Sequence, residues 1–190
     1  MVDFKPSKVH EFIRKIDSKV VITTNFDSIY DNLCKGSTYS ILDYEEAESI
    51  VQTLKSPTNL IIKAHGTIQK PTKLIFTSSQ YFKSQQENPV FYNILYSLFL
   101  TNTVVFLGYG LSDPDINLIL QYLHKSACEA SPHYLVKEKG TAPQLIKHWK
   151  ETYNVQIIEY GDSYADLEPA IEELANKVDA FRADRAGVGL

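Results

Sequence analysis

Two cysteines, Cys34 and Cys128, are all that the 190 residues contain, and neither belongs to a CxxC pair. A four-cysteine zinc site within one copy of the chain is therefore excluded. The simpler expectation is two free thiols serving as small core residues in a reducing compartment. The five histidines show no metal-ligand spacing, so no metal is expected. Long apolar runs are absent too: stretches such as VVFL are far too short to span a bilayer. The first residues, MVDFKPSK, lack the apolar core of a signal peptide. These absences set the expectation of a cytoplasmic protein with no membrane partner. Lys and Arg total 19 against 23 acidic residues, a net charge of -4. With no basic block and no aromatic-basic alternation, a nucleic-acid partner has no support.

What remains is ordinary for a soluble domain: 44% hydrophobic and 22% charged residues. The length suits one domain with a sizeable core, expected over residues 1–180. The tail, 181–190, has little apolar periodicity and is expected to fray. Val9, Phe12, Ile13 and Ile16 fall at helical spacing in residues 7–17. Strands are expected at 19–24, 38–42, 59–64, 73–77, 103–107, 133–137 and 155–160. The 103–107 run is the most strongly strand-like and is expected to be buried. Helices are expected at about 25–34, 43–54, 79–83, 89–100, 116–123, 142–149 and 166–178. Such alternation points to an α/β fold with a mostly parallel sheet covered on both faces.

Three polar motifs stand where strands should end. Thr23-Thr24-Asn25-Phe26-Asp27 follows VVI, His65-Gly66-Thr67 follows LIIKA, and Gly108-Tyr109-Gly110-Leu111-Ser112-Asp113 follows TVVFL. A parallel sheet delivers such tips to one edge, where open sheets bind ligands. The Asn25 amide offers both a donor and an acceptor for a sugar hydroxyl or a water. Asp27 accepts from a ribose hydroxyl or caps the following helix. His65 is the strongest acid-base candidate, with a structural histidine as the alternative. Gly66 beside it permits close approach or unusual backbone angles. Gly108 and Gly110 bring backbone N–H groups to a phosphate, with Ser112 adding a hydroxyl, or they form a tight turn before a helix. GYGLSD is neither GxGxxG nor GxxxxGK[ST]. No G-x-S-x-G elbow surrounds Ser78 or Ser79. Ser112 and Asp113 face ribose or start the next helix. The aromatic pairs Tyr81-Phe82 and Phe91-Tyr92 are core packing by default.

In combination the motifs resemble sirtuins. ITTNFD is similar to the sirtuin TQN-D segment, KAHGT to the strand-end catalytic histidine with its glycine, and VVFLGYGLSD to the later nucleotide-binding strand. Asn25 and His65 lie forty residues apart. The pattern, over residues 19–160, looks most like the SIR2-like domains of bacterial antiviral defence proteins. The resemblance implies a Rossmann-like three-layer sandwich and an NAD+ glycohydrolase, with NAD+ as substrate and no zinc. It also implies roles. Asn25 engages the nicotinamide ribose and positions water, and His65 contacts that ribose as general base. Asp27 supports the ribose pocket. Thr24, Gly66, Gly108, Tyr109, Gly110, Ser112 and Asp113 complete the cofactor-binding set, although Tyr109 is a poor match to the family's usual hydroxyl residue.

The chain departs from this family at its start: no GAG-type phosphate loop precedes Asn25. The first family strand is expected to be missing, leaving a fragment, a split product or a degenerate domain. The open sheet edge is then one that a completing chain or a second copy covers. Two other readings stand beside hydrolysis. One is a catalytically inactive interaction module, and the other an NAD-dependent deacylase or ADP-ribosyltransferase.

Overall fold

A short β-branched run, Val20–Thr23, forms strand β1, and the apolar run Asn59–Lys63 forms β3 beside it. Residues 4–110, 114–126 and 130–187 are described in the computed structural model. They fall into two units, one running to Phe76 and resuming at Leu167, the other spanning Thr77–Asp166.

In the first unit helix α1 covers Lys8–Ile16, α2 Ile29–Cys34, strand β2 Tyr39–Asp43, helix α3 Ala47–Leu54, and the closing helix α8 Leu167–Gly187. Strand β3 lies between β1 and β2, parallel to both. Its position explains its composition: Leu60, Ile61 and Ile62 have no exposed surface, as a central parallel strand requires. Helix α3 packs on β2 and β3 through Ile50, which is fully buried. Helix α1 packs against α8, where Ile171 and Ala175 are buried. Lys15 reaches Asn176 Oδ1 at 2.7 Å and Asp179 at 3.3 Å. Asp17 ends α1 in the left-handed region, with φ 51°. Its carboxylate then accepts from Tyr39 Oη at 3.0 Å and Asn59 Nδ2 at 2.7 Å, tying the helix end to the first residues of β2 and β3. Burial and then the Asp17 bond push the Tyr39 phenol up to about 12. Cys34 is buried and free, and burial raises its thiol pKa, as befits a small core residue. Cys128 lies outside the described residues.

The second unit contains helix α4 Ser78–Glu87, α5 Pro89–Thr101, strand β4 Val105–Phe106, helix α6 Pro114–Ser126, strand β5 His133–Lys137, helix α7 Pro143–Tyr153 and strand β6 Val155–Glu159. The sheet order is β4-β5-β6, again parallel throughout. Thr77 caps α4 by accepting from Gln80 N, and proline occupies the first helical turn of α5 and α7. Phe91 and Tyr92 meet edge-on at 5.3 Å, and Tyr81 meets Tyr92 at 5.7 Å. All three rings are buried and are core packing, whereas Phe82, expected in the core with Tyr81, is 51% exposed.

The fold is thus α/β with parallel sheets, of the Rossmann-like kind, as expected. Three local expectations are corrected. Residues 73–77 form no strand: Pro71–Lys73 is a 3-10 turn, and the returning segment bonds back through Ile75 N to His65 O at 3.1 Å. Pro71 at the turn and Thr77 as a helix cap leave no length for a ladder. The 103–107 strand shrinks to Val105–Phe106, and Val105 is 45% exposed. Strand β4 pairs with β5 over two residues, and Gly108 follows at φ +63°. The expected fraying beyond residue 180 is not seen through Gly187, because α8 continues. Among the described residues no helix is long and apolar enough to cross a membrane.

Two histidines that the motifs left aside are structural. His10 Nδ1 accepts from Ser7 N at 3.1 Å, within the first turn of α1. His133 Nδ1 accepts from Val104 N at 3.1 Å, joining the start of β4 to β5. Burial lowers the His133 pKa below its ordinary value of 6.5.

Two outcomes follow. Ile171→Ala should cost about 2–5 kcal/mol in urea unfolding, the range for truncating a buried Ile; under about 1 kcal/mol would contradict the packing of α8. For His133 the neutral form is the folded one, so its contribution is complete above the unfolded pKa. It is lost as pH falls through the lower folded value. The urea midpoint should therefore decline from pH 7.5 towards pH 5, and His133→Gln should flatten that decline.

Candidate functional site

Register brings the first two motifs together. Thr23 and Asp43 both pair with Lys63, so three polar residues stand level across β1, β3 and β2 at their C-terminal ends. The ladder extends one bond further, from Ala64 N to Thr23 O at 2.9 Å. Beyond it β1 leads into Thr24-Asn25-Phe26-Asp27 and β3 into His65-Gly66-Thr67.

Local hydrogen bonds shape the β1 tip. Asn25 N donates to Thr23 Oγ1 at 3.1 Å, and Asp27 Oδ1 accepts from Ile29 N at 2.9 Å at the start of α2. The Asp27 bond is an Asx turn, one residue before the α2 cap at Ser28. The side chains of Asn25 and Asp27 are exposed, and Thr24 is half-buried. Phe26 turns the other way and packs its ring on Phe76, centroids 4.5 Å apart. Its carbonyl accepts from Ile68 N at 2.9 Å, a backbone bond that joins the Asn25 loop to the loop after His65.

His65 is buried, and Gly66 follows it with φ +87°. A Cβ at Gly66 would stand 2.8 Å from the Lys73 carbonyl oxygen, so conformation and space both require glycine. The Lys73 carbonyl is fixed in turn by Tyr44 Oη, which donates to it at 2.8 Å. Lys70 meets buried Asp43 at 2.6 Å, and Lys73 meets Glu45 at 2.6 Å. The carboxylate of Asp43 holds the Lys70 ammonium above its usual range. The 66–75 loop is therefore fastened to the end of β2, beside His65.

Beneath the tips lies a buried ion pair. Lys63 Nζ is 3.2 Å from Asp31 Oδ2, and the two side chains are 3% and 7% exposed. The same ammonium donates to the Asp27 carbonyl. One sign of this pair lies in the sequence, outside the three motifs: a lone lysine inside NLIIKA, an otherwise buried apolar run. Asp43, Tyr44, Lys70 and Lys73 were missed because strand-end polarity on β2 carried no motif.

The third motif lies in the second unit. Gly108 is exposed with φ +63° and open space where a Cβ would stand, so glycine serves the turn rather than a close approach. Tyr109 stacks on Phe106 of its own strand, centroids 5.4 Å apart at 24°. Gly110 is exposed. Ser112 and Asp113 lie outside the described residues. The structure thus gathers Thr24, Asn25, Asp27, His65 and Gly66 in one unit, with Gly108, Tyr109 and Gly110 in the other. Among the described residues no group of three or more His, Cys, Asp or Glu side chains is arranged to hold a metal ion.

The first-unit tip presents an exposed amide and an exposed carboxylate beside a buried imidazole, on backbone fixed from several sides. That set can hold a hydroxylated ligand and move a proton. Comparison with known proteins agrees in where it places similarity. The chain is 30% identical over 129 residues to a protein named defense-associated sirtuin 2 from Bacillus subtilis, covering 65% of this chain and 12% of that one. It is 26% identical over 117 residues to the NAD(+) hydrolase ThsA of Acinetobacter baumannii, covering 61% and 24%. With the NAD(+) hydrolase ThsA of Enterococcus faecium it shares 23% identity over 157 residues, covering 80% and 33%. The chain therefore spans a third or less of the length of these curated relatives. The SIR2-like domain family itself matches residues 19–158, from the lysine before β1 almost to the end of β6. With both tip motifs inside that match, the chain belongs to the SIR2-like domain family.

Proposed function

We propose that this chain carries the ribose-facing part of an NAD+ glycohydrolase, which cleaves the nicotinamide–ribose bond to give nicotinamide and ADP-ribose. The observation that carries this reading is the joining of the Asn25 and His65 loops at the ends of adjacent parallel strands. Family membership supports NAD+ as the substrate, and two of the relatives are named NAD(+) hydrolases.

In NAD+ the nicotinamide nitrogen is positively charged. When the glycosidic C–N bond breaks, its electron pair goes to that nitrogen and nicotinamide leaves neutral. Ribose C1′ is left electron-poor, and a water oxygen bonds to it. The water then loses a proton. Asn25, exposed at the tip, holds the ribose and the water, using its carbonyl as acceptor and its NH2 as donor. His65 takes the proton as general base. Asp27 lines the ribose side with its carboxylate while its Oδ1 keeps the loop turned through Ile29 N. Fixed dipoles at the tip stabilise the shifting charge better than mobile water does. Gly108, Gly110, Ser112 and Asp113 contribute the later cofactor-binding loop. A second copy or a completing chain joins this domain in its assembly. A role in defence is part of the same proposal, supported by the name of the Bacillus subtilis relative; that it is antiviral and cytoplasmic is proposed with it.

Nicotinamide and ADP-ribose release is the test, measured on the purified chain alone and with any chain that co-purifies. Asn25→Ala and His65→Ala should each lower kcat by about a hundredfold or more, the usual scale for a positioned acid-base group. Release should not need an acylated peptide. Strict peptide dependence, or no hydrolysis under either condition, would overturn the proposal.

A further inference from the structure

Lys63 stands two residues before His65, on the one strand of its sheet that is buried along nearly its whole length. It is itself 2% exposed. An ammonium so placed must have partners, because water cannot reach it. Its partners are both on the polypeptide that carries Asn25. Lys63 Nζ donates to the backbone carbonyl of Asp27, and it pairs with the Asp31 carboxylate at 3.2 Å in the first turns of α2. Helix α2 has six residues, too few to hold itself without tertiary contacts.

We propose that Lys63 is a positioning residue of the site: paired with Asp31, it pins the Asn25–Asp27 loop to the strand that carries His65 and so sets the separation of the two. The inference rests on the reading of this tip as an NAD+ hydrolase site. Three features fit such a role better than a general contribution to folding. The ammonium is bonded to the loop's backbone and not only to a side chain, so it fixes the course of the chain at Asp27. Its bond at Asp27 directly follows two others on the same stretch, Asn25 N to Thr23 Oγ1 and Ile68 N to Phe26 O. Last, the charge is balanced. Ribose becomes cationic as nicotinamide leaves, and an unpaired ammonium beneath the tip would oppose that step. Asp31 removes the conflict while leaving the donor to Asp27 intact.

The double variant Lys63→Met, Asp31→Leu separates positioning from stability. It removes both charges together, so no unpaired charge is left buried, and such replacements leave folding intact in other proteins. The expected result is a thermal midpoint close to wild type, with kcat for NAD+ reduced about tenfold or more and KM changed less. Hydrogen exchange at the Asn25, Ile29 and Ile68 amides should rise about tenfold, while Leu60–Ile62 in β3 stays protected. A folded double variant with wild-type kcat, or with unchanged exchange at those three amides, overturns the proposal. A further measurement needs no variant. The ammonium protons of Lys63 in the wild-type chain should be observable by nitrogen-resolved NMR as slowly exchanging, and an ammonium in fast exchange with solvent overturns the clamp even if the double variant fails to fold. If wild type does not hydrolyse NAD+, the functional reading fails on its own account, and exchange at the three amides still decides whether Lys63 holds the loop.

Discussion

Everything at the candidate site depends on one strand being paired on both sides. Strand β3 lies parallel between β1 and β2, and its middle residues have no exposed surface. Parallel pairing makes all three strands end at the same edge, and the register sets Thr23, Lys63 and Asp43 at one level there. From that level each strand releases a polar loop. Hydrophobic burial of Leu60, Ile61 and Ile62 makes the platform, and the polar tips are what it positions.

The tips are held by bonds of different kinds, each suited to its place. Backbone bonds join the Asn25 and His65 loops directly, at Ile68 N to Phe26 O. A buried ion pair fastens Asp27 and α2 from below. Exposed lysines, Lys70 and Lys73, tie the 66–75 loop to the end of β2, where solvent weakens each pair. Gly66 lets the loop run close to the Lys73 carbonyl, because only a residue without a side chain fits there at positive φ. The result is a site whose exposed groups, Asn25 and Asp27, sit on backbone with little freedom to move. Such preorganisation is what a step with developing charge needs.

Much of this was legible in the sequence. Five of the six observed strands match expected runs closely, since β-branched and apolar stretches bounded by polar tips admit few other readings. Strand-end placement of ITTNFD and KAHGT was enough to bring the Asn25 and His65 loops to the same end of adjacent strands. Residues 73–77 misled because Leu74, Ile75 and Phe76 have strand-like composition, whereas Pro71 and the Thr77 cap fix the local course. TVVFL misled because apolar content does not reveal how much of a run is laddered: β4 pairs with β5 over two residues. The Lys63–Asp31 pair was half legible. A lysine inside the apolar run NLIIKA marks a buried charge, but only the fold shows that α2 carries the acid to meet it.

The central claim is that the β1 and β3 tips bind NAD+ at its nicotinamide ribose. The most direct measurement is an NMR titration with a carbocyclic NAD+ analogue, whose bond to nicotinamide resists cleavage. The account predicts amide shifts concentrated at residues 24–28 and 64–68, and their loss in Asn25→Ala. Saturating analogue with no shift at those residues, or with shifts confined to the opposite ends of the strands, would contradict it.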